Sequence, residues 1–235
     1  AAARKAGYAT KPGASQPSVL EHAAFGTVLG EDGRPFKTRS GENIRLSDLL
    51  DEAIDRAGKT VDSKNPGLPD AERAVIAEAV GIAAIKYTDL SSERIKDYVF
   101  SFDRMLAFEG NTGPYLLYAL VRTKSIFRKA AERGVALDHA GTPIVVAEPA
   151  EKTLALELLR YPSAVRSVAA ALEPMRLCGY LYSLAGAYSS FFDACPVLST
   201  EDDTVRRSRL RLCELTARVL EDGLGVLGLP TVERM

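Results

Sequence analysis

From residue 102 to residue 223 apolar side chains recur three and four positions apart in segment after segment, the period of an α-helix with one buried side. The segments are 102–109, 114–133, 148–159, 163–191 with Pro174 bending or splitting it, and 204–223. Breakers at 110–113, 134–143, Pro162, Pro196 and 223–230 punctuate them. Such a text folds as an antiparallel helical bundle. Upstream the pattern is mixed. Residues 1–37 are cut by Pro12, Gly13, Pro17, Gly26, Gly30, Gly33 and Pro35, and 21–29 reads as a buried strand or turn entering a Gly-rich loop. Leu46, Leu49, Leu50, Ala53, Ile54 and Ala57 then predict a helix that Gly58 stops. After Pro66, Gly67 and Pro69 a second helix covers 70–87, followed by a polar stretch over 88–94. The chain is therefore mainly α, a short mixed α/β piece with connecting helices over 1–103 preceding an all-helical domain over 104–235. No internal repeat is present.

Composition narrows the class of partner. Thirty Lys and Arg face 31 Asp and Glu, a net charge of −1, so any polyanion must be held by local patches. The longest uncharged stretch, 177–192, carries Gly, Ser and Tyr and is too short and too polar for a bilayer span of roughly 20 apolar residues. Cys178, Cys195 and Cys213 form no C-x-x-C pair, so neither a zinc ribbon nor a disulfide framework is written in, and a reduced, cytoplasmic setting is expected. The chain starts AAARKAGYAT, with no initiator Met and no signal-peptide core, and is expected to be a cut made inside a longer protein. His22 and His139, the two histidines, have no recognisable nucleophile beside them, so neither a triad nor a metal centre is expected.

Three constellations can carry chemistry. The first is the loop from Gly30 to Gly41, in which Lys37 and Arg39 alternate with the hydroxyls of Thr38 and Ser40. Glycines allow close backbone approach and the two cations supply charge-assisted donors to phosphoryl oxygens. No Walker A run is present, and a polar turn is the plainer reading. The second is Glu109-Gly-Asn-Thr-Gly-Pro-Tyr115 and the helix it starts. At about 100° per residue, Tyr115, Tyr118, Arg122, Lys129 and Arg133 fall on one side, Leu116, Leu120, Phe127 and Ala131 on the other. From 122 to 133 the basic residues Arg122, Lys124, Arg128, Lys129 and Arg133 outnumber the single Glu132. Rings interleaved with cations suit RNA, since rings stack on exposed bases while cations neutralise phosphates; a solvated basic face with packed tyrosines is the alternative. The third is the closing helix, where Arg207, Arg211 and Arg218 share a side with Glu214. Pairing within the helix competes there with an RNA surface. Cys178, Tyr180 and Tyr182 are expected inside the bundle.

Several long, ordered stretches resemble the arginyl-tRNA synthetase family, of class I. AAARKAG with EHAAFGTVLGEDGRPFKTRSG is similar to the end of its catalytic domain and to the loop that stands where other class I enzymes have KMSKS. DYVFSFDRMLAFEGNTGPY resembles the start of the helical DALR-type anticodon-binding domain, and EPMRLCGYLYSLAGAYSSFFDACPVL with RLRLCELTARVLEDGLGVLGLPTVERM resembles its remainder.

The resemblance implies an arginine-tRNA ligase: arginine, ATP (with Mg) and tRNA(Arg) give arginyl-tRNA, AMP and pyrophosphate. Lys37, Thr38, Arg39 and Ser40 would grip the ATP phosphates, with Lys37 and Arg39 stabilising charge on the leaving pyrophosphate. Asn111, Tyr115, Tyr118 and Arg122, extended by Lys129 and Arg133, would face tRNA. Tyr188, Arg218, Arg234 and Met235 are implied at the anticodon surface by their place in the matching segment. DNA and membranes are not implied as partners. Against the family's PYLQYAHAR, Leu117, Leu120 and Val121 replace Gln, His and Ala, so a polar tRNA contact is expected to be missing. No HIGH-type motif occurs, so this polypeptide alone is expected not to activate arginine. A free-standing helical tRNA-binding module or truncated paralogue, and an inert interaction bundle, are the competing readings.

Overall fold

A computed structural model describes residues 2–35, 45–135 and 141–235. Among them the order is α1 (Ala2–Lys5), β1 (Val28–Leu29), α2 (Leu46–Lys64), α3 (Asp70–Ser91), β2 (Tyr98–Val99), α4 (Phe102–Met105), α5 (Gly113–Glu132), α6 (Pro149–Ala171), α7 (Met175–Ala194) and α8 (Asp203–Val226). The mainly helical architecture is as expected. Among the described residues the β content is one parallel pair, Val28 opposite Tyr98 and Leu29 opposite Val99, plus a bridge from Leu29 to Pro35.

Helix α5 shows how local sequence sets an element. Thr112 caps it, its hydroxyl accepting from the Tyr115 N–H at 3.2 Å while donating to the Ala107 carbonyl at 2.6 Å. Pro114 occupies the first turn, where a missing N–H costs nothing. Gly113 lets the start of α5 lie directly on α3, since a Cβ there would stand 2.4 Å from the Ala83 carbonyl oxygen. A side chain at 113 would push the two helices apart.

The core sits where α3, α5, α7 and α8 meet. Leu116, Leu117, Leu120, Leu181, Leu184 and Leu220 are wholly buried, each contributing about 1.5–3 kcal/mol by transfer from water. α3 joins this core through Val80, Ala83 and Tyr87, while Ala53, Ile85, Phe100 and Met105 form a smaller cluster beneath α2 and the strand pair. α6 pairs mainly with α7 as a helical hairpin.

Several boundaries differ from expectation. α2 passes Gly58 and continues to Lys64, because Ala57 and Val61 extend its buried stripe and outweigh one glycine. α3 runs on to Ser91 for the same kind of reason, since Leu90 packs against the core. The expected helix over 102–109 is one turn, Phe102–Met105, before the Gly110 turn with φ 72°. Pro162 lies inside α6 and does not end it; burial against α7 and α8 carries the helix through the lost hydrogen bond. The break between α6 and α7 comes at Leu172, in the left-handed region with φ 55°, with Pro174 at the start of α7. No helix among the described residues is long and apolar enough to cross a membrane.

One buried ion pair and one pair of neutral hydrogen bonds tie α6 and the segment before it to α8. Glu151, 1% exposed, accepts from the N–H groups of Ala147 and Glu148 and from Arg209 Nε at 2.7 Å; Arg209 also donates to the Pro196 carbonyl at 2.8 Å. Ser208 brackets Val145, accepting from its N–H and donating to its carbonyl.

Candidate nucleic-acid interface

The outward face formed by α5 and α7 gathers most of the aromatic and basic residues singled out in the sequence. Tyr118 is 46% exposed, and Tyr115 is half-buried with its ring 5.6 Å from that of Tyr182 on α7. Burial and the neighbouring Tyr182 raise the pKa of Tyr115, so its ring is a neutral stacking surface. Asn111 stands exposed just before α5, its side chain 2.6 Å from the Tyr87 hydroxyl, which is also 3.0 Å from the Cys178 carbonyl. That hydroxyl ties together α3, the α5 approach and α7, and burial holds it protonated.

Arg122 lies beside the rings but is not loose. Its guanidinium donates to Asp193 at 3.1 Å and to Ser189 at 3.3 Å, and its centre is 4.4 Å from the Phe192 ring centroid. Lys124 is drawn inward between Glu221 at 2.7 Å and Glu233 at 2.6 Å. Burial lowers its ammonium pKa, but the two carboxylates outweigh that and hold it raised. Arg128 donates to the Glu233 carbonyl at 3.0 Å. The basic run of α5 thus divides: Lys124 and Arg128 fasten the segment after α8, whereas Lys129 and Arg133 remain exposed on the surface.

Not every expected site residue reaches this face. Tyr188 is 1% exposed, its ring packed near Phe191 and Phe192 and its hydroxyl enclosed beside Thr123 and Cys213, so the expected surface contact is corrected to a core residue. Leu117, Leu120 and Val121 are buried too, so their departure from the family pattern alters interior packing and removes no surface group. Arg218 is exposed on α8, over a groove with Tyr161 and Asp222, apart from Tyr115 and Tyr182. On α8 these cations pair within the helix: Arg211 and Arg218 with Glu214, and Arg207 with Asp203. Arg234 is exposed beside a groove with Val75 and Val232, and Met235 packs partly against the core. Lys37, Thr38, Arg39 and Ser40, and His139, lie outside the described residues.

Tyr182, expected inside, is 39% exposed and faces Tyr115. Ser189 and Asp193 also belong to the site and were not picked out. Their spacing from Tyr182 is helical, but residues 177–192 contain no charge to show which side of α7 meets water. Cys178 and Tyr180 are buried as expected, and burial pushes the Cys178 thiol up to about 12. Among the described residues no group of His, Cys, Asp and Glu converges as a metal site.

The chain is similar to known proteins along its length. Residues 116–235 match the DALR anticodon binding domain, and residues 1–102 match the catalytic domain of the class I tRNA synthetases for arginine. An arginine–tRNA ligase of Aliivibrio fischeri is 50% identical over 232 residues, 99% of this chain and 39% of the relative. The arginyl-tRNA synthetase of Thermus thermophilus superimposes with a TM-score of 0.80 at 36% identity, over 91% of this chain and 35% of that one. The enzyme of Plasmodium falciparum does so with 0.72 at 27% identity, over 90% and 34%. The chain therefore spans well under half the length of these relatives, and it belongs to the class I arginyl-tRNA synthetase family with a DALR anticodon-binding domain.

Proposed function

We propose that this chain is the tRNA-receiving portion of an arginine–tRNA ligase, working in the cytoplasm with tRNA(Arg), arginine and ATP with magnesium. Residues 1–103 supply the end of the catalytic domain and its ATP loop; residues 104–235 receive the anticodon. The observation that carries this reading is the α5–α7 face, where Tyr115, Tyr118 and Tyr182 lie beside Arg122 with Asn111 at one end. Exposed rings take unstacked bases and the cations take the phosphates between them. Lys129 and Arg133 continue the positive edge, and Arg218, Arg234 and Met235 are outer contacts.

In the ATP loop Lys37 and Arg39 stabilise charge on the departing pyrophosphate, with Thr38 and Ser40 donating to phosphate oxygens. Without a HIGH-type segment to close over the nucleotide the 235-residue chain does not activate arginine. Two measurements test the proposal. The chain binds a tRNA(Arg) transcript and discriminates against transcripts altered only in the anticodon; equal affinity for all would make it a general RNA-binding module. ATP–pyrophosphate exchange with arginine and tRNA present stays at the level of a Lys37→Ala control, and turnover above that level refutes the inactivity.

A further inference from the structure

On the hairpin of α6 and α7 lies a cleft of about 440 Å³ lined by Arg160, Ser163, Ser167, Arg176, Gly179 and Ser183. The grooves at Tyr161–Asp222, Val75–Val232 and Phe25–Tyr98 each include carboxylates in their lining; this one includes none. Two guanidinium groups from two helices line it beside three hydroxyls, of which those of Ser167 and Ser183 donate to the Ala164 and Gly179 carbonyls. Arg160 spends one donor on Glu157 and Arg176 one on Glu173, both at 2.6 Å and both within their own helix. A guanidinium has five N–H donors, so each keeps a free edge. The Arg176–Glu173 pair is exposed on both sides and weak, whereas the Glu157 side chain is only 17% exposed, so Arg160 keeps that partner and offers its free edge to an oxyanion.

Gly179 shapes the cleft wall. Gly81, Gly113 and Gly223 are glycines because a Cβ would stand 2.7, 2.4 and 2.6 Å from a neighbour. At Gly179 an added Cβ meets nothing within 4 Å, although glycine weakens a helix interior. Gly186 on the same helix and Gly225 on α8 are equally free of neighbours; of the three only Gly179 lies in the cleft lining, where its bare backbone leaves room for close approach from outside.

We infer that the α6–α7 cleft is a phosphate site that takes a backbone phosphodiester of the bound RNA, held between Arg160 and Arg176. The inference rests on the RNA-binding reading above. Ser183 follows Tyr182 but points about 100° further round α7, so a strand stacking its bases on Tyr182 and Tyr115 reaches the cleft by passing round that helix.

The test is binding of a labelled tRNA(Arg) transcript to this chain as a function of salt. Arg160→Gln with Arg176→Gln lowers affinity about tenfold and flattens the slope of log K against log salt by about 0.7–0.9, the loss of one phosphate contact. Gly179→Glu lowers affinity similarly by placing a carboxylate in the cleft, with a melting temperature equal to or above that of the unsubstituted chain. If Tyr118→Ala weakens RNA binding while the cleft variants change neither affinity nor slope, the cleft proposal is overturned and the RNA-binding function stands. If the unsubstituted chain binds no RNA, that function and the RNA source both fail. Titration with inorganic pyrophosphate, read at the amides of Gly179 and Ser183, then decides the remaining chemistry. Shifts abolished in the double variant retain a site for free phosphate, and no shifts discard it.

Discussion

Arg122 on α5 donates to Asp193 on α7 at 3.1 Å, so the cation nearest the exposed tyrosines is partly neutralised by its own fold. The pair also steers the guanidinium across the Phe192 ring and fixes which edge faces solvent. Asp193, 69% exposed in its side chain, is the competitor that an incoming phosphate must displace.

Removing that competitor strengthens binding. Asp193→Asn is expected to raise tRNA affinity severalfold with little change in salt slope, since Arg122 makes its phosphate contact in either form. Arg122→Ala weakens affinity and flattens the slope by about 0.7–0.9, the loss of that one contact. Fluorescence titration at several salt concentrations checks both, and a weakened Asp193→Asn would mean that the carboxylate positions Arg122 for RNA.

Base stacking predicts a different pattern at the rings. Tyr118→Ala and Tyr182→Ala each cost about 1–3 kcal/mol of RNA binding if a base lies on the ring. Tyr118→Phe keeps the π face and retains most of the affinity. Neither alanine variant changes the salt slope, since no phosphate contact is lost. Tyr188→Ala, by contrast, lowers the unfolding midpoint through its core cavity, at a cost of roughly 3–5 kcal/mol.

The buried pair of Glu151 and Arg209 governs stability in acid. Burial acts against the ionised Glu151, but the Glu148 N–H, the Arg209 guanidinium and the Ala147 N–H together hold its carboxyl below the ordinary value. The unfolded chain therefore binds this proton more readily. Stability from Glu151 is full above the unfolded carboxylate pKa of about 4.3 and is lost as pH falls through the depressed folded value. Urea midpoints from pH 6 down to pH 2 show the loss, and Glu151→Gln flattens it. Arg209→Met leaves a buried unpaired charge and costs about 3–5 kcal/mol at neutral pH.

The α6–α7 connection carries backbone strain. Leu172 ends α6 in the left-handed region at φ 55°, where a Cβ costs about 1–2 kcal/mol. Leu172→Gly relieves it but frees the unfolded chain, for a net gain of about 0.5–1 kcal/mol. Calorimetry registers a rise of a few degrees, and a fall would show that the leucine side chain contributes more than its conformation costs.

The helical bundle was legible in the sequence because each helix buries one stripe, and stripes repeat at the helical period whatever they pack against. Helix ends were less so. Gly58 and Pro162 read as stops, yet both lie within helices whose buried faces continue past them. The site divided along similar lines. The stripe of Tyr115, Tyr118 and Arg122 followed from spacing within one helix, whereas the place of Tyr182 opposite Tyr115 is a relation between helices.

By itself the sequence determined the helices, their buried faces, the family and the concentration of rings and cations on α5. Only the tertiary structure decided which members of that set meet water. It sank Tyr188 into the core, turned Tyr182 outward, and spent Lys124 and Arg128 on fastening the segment after α8. The physical reason is that a period reports which side of a helix is apolar, while the exposure of a phenol or the freedom of an ammonium depends on which neighbouring helix supplies a ring or a carboxylate.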